Sequence, residues 1–434
     1  MSSVRSLRIK IGGVDVGSLF GLDDGRVYFR FDESYALDAQ PPILSVSFQA
    51  EFEQDTRAQL LSQSLSATIG AGGGRLPVFF QNLLPEGMLR KHLILTGQLD
   101  ERDELGLLAY CGEDLPGNVQ ALGEQLDQKA LGRLITQSRD SYEMSSHQLP
   151  TPDAISLSGV QPKVSLVSAA GNRYVMRSKN ANGQHFIGKL PASDYAGLPE
   201  VEYTAMQLAR AAGVAVCTAE LLPLSAIASQ LPFALRDDAR NFLLVHRFDR
   251  DAGTGSGRVH MEDFAQALEL SPDEKYDGTY AAIGLILQFV SSNAEEDLWE
   301  LLRRIKTNEL LGNYDAHVKN YSLLYETPSA ARLSPAYDIV AYAAYLSGQG
   351  HALKFYPHQK AKTLLTPAVL RELANLWAVP EARLKNVVMA TVERAMKSWP
   401  EMIEQSPMTV AQKTKLLAHL ESNTSVQAWR RRHT

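Results

Sequence analysis

The sequence predicts an α+β fold with a strand-rich front half and a helical back half. Short segments in which apolar and polar residues alternate, typical of strands, open the chain and return between residues 155 and 248. From residue 261 onward, apolar residues recur at helical spacing almost to the C-terminus. At 434 residues the chain is too long for one ordinary core, so we expect two or three packed subdomains.

The first expected unit, residues 1–123, is an N-terminal α/β subdomain. Strands are predicted at 7–11, 14–19, 27–31 and 43–48, and helices at 78–95, with a break at Pro85, and at 103–110. The glycine-rich run 70–75 lacks the strand–loop–helix context and the Lys-Ser/Thr ending of a P-loop. We therefore expect this run to be a flexible connector.

The second expected unit, residues 124–250, begins with a polar stretch that holds one short helix candidate at 128–138. Strands are predicted at 155–158, 163–168, 173–176, 185–190, 216–222 and 242–248. A single amphipathic helix at 199–213, closed by Gly213, separates the fourth of these strands from the fifth. Strands, one helix and again strands is the element order of a kinase-like small lobe.

The third expected unit, residues 251–434, is predominantly helical. A hairpin loop is predicted at 253–257, helices at 261–270, 280–291, 295–311 and from 367 to about 429, and one strand at 321–325. A polar segment, Asn313 to Asn320, lies between the third of these helices and this strand. Polar residues held between two packed elements are a common design of a functional site.

Composition excludes several classes of protein. The 43 Lys and Arg against 49 Asp and Glu give a net charge of −6, which argues against a general nucleic-acid-binding surface. Two cysteines, Cys111 and Cys217, provide neither a disulfide framework nor a cysteine-based zinc site. The N-terminus lacks an apolar signal segment and the most apolar helix, 281–290, is too short to span a bilayer, so we expect a cytoplasmic protein without a membrane partner.

The polar segment contains an acid and an amide at the spacing of a kinase catalytic loop. Asn320 follows Asp315 by five residues, the D-x-x-x-x-N spacing in which the acid is the base and the Asn binds metal. His317 and Lys319 lie between them and either orient phosphate or serve the structure of the loop. Further on, Asp338 stands among apolar neighbours and is either a second Mg²⁺ ligand or the cap of a following turn.

The second unit supplies candidates for binding nucleotide phosphates. The turn 158–163 has backbone N–H groups that can approach phosphates, and a plain hairpin is the alternative. Lys189 lies near the end of an apolar strand, where its amine needs an anionic partner or must reach solvent. Glu202 on the next helix is the partner that a kinase would use, and an ordinary solvated helix position is the alternative. Together and in this order, these residues favour phosphoryl transfer.

These residues belong to a series of motifs that resembles HipA-type serine/threonine kinases, the toxin components of bacterial type II toxin–antitoxin pairs. The resemblance covers nearly the whole chain. Its motifs lie at 16–19, 29–32, 80–86, 156–163, 189–191, 202–203, 247–250, 260–264, 313–322 and 337–339. It implies a two-lobed, protein-kinase-like fold with an N-terminal α/β subdomain and an all-helical C-terminal lobe.

The resemblance also implies a role for each site residue. Asp315 is the expected catalytic base, Lys189 is expected on the ATP phosphates, and Asn320 and Asp338 are the expected Mg²⁺ ligands. The hinge at 246–248 is expected to bind adenine through its backbone, although many relatives carry Glu where this chain has His246. The full expected nucleotide site consists of Ser158, Gly159, Val160, Gln161, Pro162, Lys163, Lys189, His246, Arg247, Phe248, His317, Lys319 and Asn320.

Regulation and partners follow from the same resemblance. Ser156 matches the serine that family members autophosphorylate, and Ser158, on the same strand face, is a second candidate. A phosphate there adds roughly −2 charge beside a loop that holds ATP phosphates, which would eject the loop. The expected partners are a HipB-type helix-turn-helix antitoxin, through which the protein reaches DNA only indirectly, and a protein substrate, an aminoacyl-tRNA synthetase in characterised relatives.

Two other functions are compatible with the sequence. A small-molecule phosphotransferase would use the same arrangement of Asp315, Asn320 and Asp338. A catalytically silent co-repressor bound to a DNA-binding antitoxin is the second alternative. The intact set of these three residues together with Lys189 weighs against it, because a silent relative has no need to keep all four.

Overall fold

The structure is a computed structural model that describes residues 2–22, 25–62, 75–124, 142–144, 161–169, 173–176, 183–192, 194–231, 240–250, 257–348 and 350–433. Three sheets and the helices around them organise these residues, so the predicted α+β fold class is confirmed. Several sequence predictions fall outside the described residues. They are the helix at 128–138, the strand at 155–158, the sites Ser156, Ser158, Gly159 and Val160, most of the glycine-rich run 70–75 and most of the hairpin loop predicted at 253–257.

The N-terminal sheet contains the three strands that open the chain and two strands from farther along it. They are β1 (Ser2–Ile11), β2 (Val14–Leu22), β3 (Val27–Phe31), β4 (Val119–Glu124) and β5 (Tyr142–Met144). The order is β3-β2-β1-β4, and β5 pairs in parallel with β1. In β3, the residues Val27, Phe29 and Phe31 are buried and the residues between them are partly exposed, which is the period-two pattern that predicts the strand.

The described part of the N-terminal unit also contains five helices. They are α1 (Glu33–Ala36), α2 (Glu53–Ser62), α3 (Val78–Gln81), α4 (Gly87–Gly97) and α5 (Glu104–Cys111). The break predicted at Pro85 separates α3 from α4. Phe80 of α3 packs edge-on against Phe29 of the sheet, with ring centroids 5.0 Å apart. This packing anchors α3 to the N-terminal sheet.

The prediction of a strand at 43–48 is wrong. The chain has left the sheet here, and Val46–Phe48 form a 3-10 turn that the Ser45 hydroxyl caps. The Ser45 hydroxyl also donates to Glu262 Oε2 (2.5 Å), and the Val46 N–H donates to Glu262 Oε1 (2.9 Å). The apolar run is therefore used to dock the N-terminal unit on the third unit, which a strand-like local pattern does not reveal.

The second sheet is the predicted small-lobe sheet. Its strands are β6 (Lys163–Ala169), β7 (Arg173–Met176), β8 (His185–Lys189), β9 (Ala219–Pro223) and β10 (Asn241–His246), in the antiparallel order β7-β6-β8-β10-β9. Helix α6 (Leu198–Ala211) packs on β9 and β10 through apolar residues that are fully buried. β9 starts later than the predicted residue 216, because Val216 instead bridges to Ala336 of the third unit.

The third unit is mainly helical but not all-helical, which corrects the expectation of an all-helical lobe. Strands β11 (His260–Asp263), β12 (Ser322–Thr327) and β13 (Ala330–Leu333) form an antiparallel sheet. The helix predicted at 261–270 is therefore wrong in its first part, and only α7 (Phe264–Ala267) is helical. Asp263 ends the strand and caps α7 in a capping box with Gln266. Pairing of β11 with β12 is a long-range contact that overrides the local helical pattern.

The remaining predicted helices are confirmed. They are α8 (Tyr280–Val290), α9 (Ala294–Leu311), α10 (Pro367–Leu376), α11 (Glu381–Gln405), α12 (Val410–Ser422) and α13 (Thr424–His433). The indole N–H of the buried Trp399 in α11 donates to the Leu208 carbonyl of α6 (2.8 Å), so the helical unit is joined directly to the small lobe. No helix among the described residues is long and apolar enough to cross a bilayer.

Candidate active site

Two adjoining cavities lie where the second sheet meets the third unit. The larger, of about 600 Å³, has a lining that includes Gln161, Pro162, Lys163, Lys189, Asp315, His317, Lys319, Asn320 and Asp338. The smaller, of about 110 Å³, is lined by the predicted hinge 246–248 and by Ile187, Met206 and Val245. Lys163, Lys189, Glu202, Lys319 and Asp338 border both. The structure thus brings the described members of the sequence-predicted site to one cleft.

Side-chain amides brace the segment between α9 and β12. Helix α9 ends at Gly312, whose φ of +60° is the left-handed geometry that glycine adopts readily. Asn313 Nδ2 donates to Asn308 Oδ1 (3.1 Å), and the Asp315 N–H donates to Asn313 Oδ1 (3.4 Å). Asn320 Nδ2 donates to the Asp315 carbonyl (3.0 Å). The predicted base and the predicted metal ligand are therefore held at a fixed position relative to each other.

The carboxylate of Asp315 accepts a hydrogen bond from the hydroxyl of Tyr276. The Tyr276 ring meets His317 edge-on, with centroids 5.3 Å apart. Burial and the bond to Asp315 raise the pKa of Tyr276 above its usual value, so this hydroxyl keeps its proton and remains a donor. No motif spacing in the sequence points to this tyrosine, because it lies in a loop and its partner is distant along the chain.

Lys189 ends β8 with its amine buried between two carboxylates. Its Nζ contacts Glu202 Oε1 on α6 and Asp338 Oδ1 in the third unit. Lys189 is 5% exposed and Glu202 is 0% exposed, so neither is a snorkelling or solvated residue. Burial of these charges is tolerable because each faces an opposite charge. The sequence predicts the pairing of Lys189 with Glu202, whereas the contact with Asp338 arises from the docking of the two units.

Asp338 has a left-handed backbone, with a φ of +54°. Non-glycine residues in this region are uncommon, and strained backbone concentrates at functional sites. The next 3-10 turn, Tyr342–Ala344, has Ala341 at its N-cap, so Asp338 does not cap that turn. Its neighbour Tyr337 donates to the Lys319 carbonyl (2.9 Å), which ties the backbone of Asp338 to the polar segment.

Four lysines line the larger cavity: Lys163, Lys189, Lys275 and Lys319. Lys163 and Lys189 are cross-strand partners on β6 and β8, so their like charges approach each other. Desolvation, followed by the charge of Lys189, lowers the pKa of Lys163 to about 7. A bound polyanion would relieve this repulsion, which is the electrostatic property expected of a phosphate site.

His317 and Lys319 are held by the protein in different ways. Burial, then the charges of Lys275 and Lys319, lower the pKa of His317 to about 3, so its imidazole is neutral at physiological pH. The backbone N–H of His317 donates to the Asp315 carbonyl (2.8 Å). The amine of Lys319, only 6% exposed, donates to Asn82 Oδ1 (2.8 Å) in the N-terminal unit. Both side chains line the cavity. The backbone of His317 and the side chain of Lys319 also determine the shape of the segment.

The predicted hinge borders the smaller cavity. The N–H groups of His246 and Arg247 donate to the carbonyls of Thr218 (2.9 Å) and His185 (3.0 Å). The Arg247 guanidinium is buried against the Asp249 carboxylate, with contacts of 2.9 and 2.7 Å. The Arg247 side chain is thus committed to the protein interior. The apolar walls of the cavity are suited to receive a flat ring.

Asn320 and Asp338 provide the oxygen donors that Mg²⁺ prefers. Both line the larger cavity, one with an amide oxygen and one with a carboxylate. Within the described ranges, no group of three or more His, Cys, Asp and Glu side chains is arranged to hold a metal. In phosphoryl-transfer enzymes, Mg²⁺ uses one or two carboxylates and completes its shell with substrate phosphates and water. The donor set fits that mode of binding.

Family models match most of the chain. A model described as HipA N-terminal domain matches residues 7–122, and one described as HipA-like C-terminal domain matches residues 155–399. The chain is 33% identical to "Putative kinase Y4dM" of Sinorhizobium fredii over 94% of both chains. It is 26% identical to "Serine/threonine-protein kinase toxin HipA" of Shewanella oneidensis over 71% of this chain and 72% of that protein.

A solved structure has the same fold. It is a chain of the Shewanella oneidensis toxin–antitoxin complex of HipA, HipB and operator DNA, with a TM-score of 0.65 and 20% identity over 96% of both chains. The order of the two family models agrees with the order of the N-terminal sheet and the two lobes that form the cleft. The chain therefore belongs to the HipA family of kinase toxins.

Proposed function

We propose that this protein is an ATP- and Mg²⁺-dependent protein serine/threonine kinase, the cytoplasmic toxin of a toxin–antitoxin pair. The observation that carries the proposal is the contact of Lys189 with both Glu202 and Asp338. This contact lies in a cavity that also holds Asp315 and Asn320. The set supplies a phosphate-binding cation, metal-binding oxygens and a base, which are the groups that phosphoryl transfer requires.

In this proposal each of the two cavities binds a different part of the nucleotide. In the proposed complex, the adenine ring lies in the smaller, apolar cavity beside the hinge 246–248, and the phosphates lie in the larger one. Lys163 and Lys189 neutralise the phosphates, and phosphate binding removes the repulsion between these two amines. Asn320 and Asp338 would hold Mg²⁺, which supplies further charge neutralisation when bound.

Asp315 is the proposed base for the acceptor hydroxyl. The serine or threonine oxygen forms a bond to the γ-phosphorus while the bond to the β–γ bridging oxygen breaks. ADP leaves, and the hydroxyl proton passes to the Asp315 carboxylate. Tyr276 orients that carboxylate, and the Asn320 amide holds the Asp315 carbonyl (3.0 Å), so the base is positioned before the substrate arrives.

Partner and substrate are part of the proposal. The solved relative with the same fold is in a complex with HipB and operator DNA, which supports a HipB-type helix-turn-helix antitoxin as the partner. The net charge of −6 favours contact with DNA only through that partner. The proposed substrate is a translation protein, with an aminoacyl-tRNA synthetase as the first candidate. Autophosphorylation at Ser156, or alternatively at Ser158, is the proposed off-switch.

Phosphate transfer by Asp315→Asn tests the proposal. Incubated with radiolabelled ATP, Mg²⁺ and a cell lysate, the wild-type protein is expected to label itself and a protein of translation. Asp315→Asn is expected to lower this labelling by about 10²-fold or more. Asp273→Asn is the control, because the Asp273 carboxylate is 80% exposed in a neighbouring turn.

Three other results would contradict the proposal in different ways. Equal labelling by the wild type and Asp315→Asn would overturn the assignment of the base. Label on a metabolite and not on protein would show a small-molecule phosphotransferase. No labelling at all, with an antitoxin that binds its operator more tightly in the presence of this chain, would show a silent co-repressor.

A further inference from the structure

A buried contact joins the N-terminal unit to the polar segment Asn313 to Asn320, which holds the proposed base and is called the catalytic segment below. Asn82, which follows α3 and is 2% exposed, accepts hydrogen bonds from Lys319 Nζ at its backbone carbonyl (3.3 Å) and at Oδ1 (2.8 Å). Its Nδ2 donates to the carbonyls of Val78 (3.1 Å) and Leu270 (2.9 Å). The amide nitrogen thus fixes Asn82 in place, and the amide oxygen holds Lys319.

Lys319 immediately precedes Asn320 in the catalytic segment. Its amine also lies 3.4 Å from Glu86 Oε1 and 3.2 Å from Asp263 Oδ2. A buried ammonium group requires such acceptors, because an uncompensated charge in the interior is strongly destabilising. Two of the three residues that contact this amine, Asn82 and Glu86, belong to the N-terminal unit. The position of Lys319, and with it one end of the catalytic segment, is therefore set by the N-terminal unit.

The segment 78–86 is itself held from both sides. Phe80 packs on the N-terminal sheet through Phe29, with centroids 5.0 Å apart. Gln266 of α7 donates through Nε2 to the Phe79 carbonyl (3.2 Å), and Glu86 lines the larger cavity. A continuous series of packed contacts thus runs from the N-terminal sheet to the catalytic segment.

We propose that Asn82 is a positioning residue through which the N-terminal unit keeps the catalytic segment in its reactive geometry. This inference rests on the proposed kinase function and adds a means of control to it. Displacement of the segment 78–86 from Lys319 lowers turnover without a change in the small-lobe residues that bind nucleotide. The N-terminal unit is then an intramolecular activator of the kinase lobes.

The test compares two full-length variants that each remove buried hydrogen bonds between the N-terminal and third units, in Asn82→Leu including the bond to the Leu270 carbonyl. Asn82→Leu removes the side-chain acceptor of Lys319 with little change in shape, whereas Ser45→Ala removes the hydroxyl that donates to Glu262 (2.5 Å). Asn82→Leu is expected to lower kcat for ATP turnover by about tenfold or more, with KM for ATP little changed. Hydrogen–deuterium exchange of residues 313–320 is expected to rise in this variant. Ser45→Ala is expected to change neither quantity.

Asn82→Asp separates positioning from stability. It keeps an oxygen acceptor for Lys319 and loses the amide that donates to Val78 and Leu270. We expect a lower Tm, comparable to that of Asn82→Leu, but a kcat much closer to that of the wild type.

The outcomes distinguish this inference from the kinase function itself. An active wild type, together with unchanged kcat and unchanged exchange in Asn82→Leu, would overturn the positioning role and leave the kinase function standing. A fall in kcat that follows the fall in Tm alike in all three variants would also overturn it, because Asn82 would then be a structural contact only. A wild-type protein that turns over no ATP would overturn the kinase function.

Discussion

The Tyr276 hydroxyl donates a hydrogen bond to Oδ1 of Asp315, so the proposed base is held by a residue from outside its own segment. The amines of Lys275 and Lys362 lie 5.4 and 5.3 Å from the centroid of the Tyr276 ring. The Tyr276 ring also meets the His317 ring edge-on. A base oriented by a third group is a recurring arrangement in catalysis by proton transfer.

Tyr276→Phe is expected to slow phosphoryl transfer by about tenfold while the KM for ATP changes little. The variant keeps the ring and removes one hydrogen bond to a charged group, worth roughly 1.5–3 kcal/mol. Steady-state kinetics with varied ATP separates the two constants. Tyr345→Phe is the matched control, since it removes a hydroxyl that donates to the Ala196 carbonyl (3.0 Å). A wild-type kcat in Tyr276→Phe would exclude an orienting role for this hydroxyl.

Lys189→Met is expected to abolish ATP binding and to destabilise the fold. Without the amine, the carboxylates of Glu202 and Asp338 lose their cation, and Glu202 is fully buried. Removing one partner of a buried ion pair typically lowers the free energy of unfolding by about 3–5 kcal/mol. Denaturant unfolding measures the stability, and titration calorimetry measures the affinity for ATP.

The double variant Lys189→Met/Glu202→Gln separates these two effects. A neutral amide replaces the buried carboxylate that the single variant leaves without a cation, so part of the lost stability is expected to return. ATP affinity is expected to stay lost, because no cation has been restored. If the double variant is no more stable than Lys189→Met, the electrostatic explanation for the destabilisation is wrong.

The parts of the site that the sequence predicts have local signals. The spacing of Asp315 and Asn320 is visible within six residues, and Lys189 stands out against its apolar strand. Tyr276 and Asn82 have no such signal, because their partners Asp315 and Lys319 lie 39 and 237 residues away. Their roles depend on which units pack together, and one sequence does not specify that packing.

The difference between local signals and long-range contacts also explains which helices and strands the sequence predicts correctly. The helices Tyr280–Val290 and Ala294–Leu311 are long and periodic, so their patterns predict them within one residue. The stretch from 367 to about 429 is predicted as helical, but its division into four helices is not. Residues 43–48 form a short apolar run, and residues 261–263 are too few to show a period, so both suit more than one element and tertiary contacts decide between them. Both errors lie at the surface where the N-terminal unit meets the third unit, through the contacts of Ser45 and Glu262.

A negative charge at Ser156 is expected to weaken ATP binding. The residue precedes the turn predicted at 158–163, and Lys163 at the end of that predicted turn lines the cavity proposed for the phosphates. Ser156→Asp introduces like-charge repulsion there, and we expect the Kd for ATP to rise by roughly tenfold, which corresponds to about 1.4 kcal/mol. Calorimetry with Ser156→Ala as the uncharged control measures it. Equal affinities in the two variants would argue against the switch.

Glu262 links pH to the docking of the N-terminal unit. It is fully buried, and it accepts hydrogen bonds from the Ser45 hydroxyl, the Val46 N–H and the Tyr325 hydroxyl. Burial raises the pKa of Glu262 from 4.5 to about 7. The folded protein holds this proton more tightly than the unfolded chain does. The free energy of unfolding therefore falls as pH rises from the pKa of Glu262 in the unfolded chain, 4.5, to its pKa in the folded protein, about 7. The loss is on the order of 3 kcal/mol.

Glu262→Gln is expected to remove this dependence on pH. The amide cannot titrate, so the free energy of unfolding of the variant, minus that of the wild type, should rise between about pH 4.5 and 7 and stay constant above. Taking the difference cancels the opposite titration of His260, whose pKa is lowered to about 4 by burial. Denaturant unfolding at a series of pH values measures both proteins. A difference that is constant over the whole range would show that Glu262 has the same proton affinity folded and unfolded, and that the docking surface does not titrate.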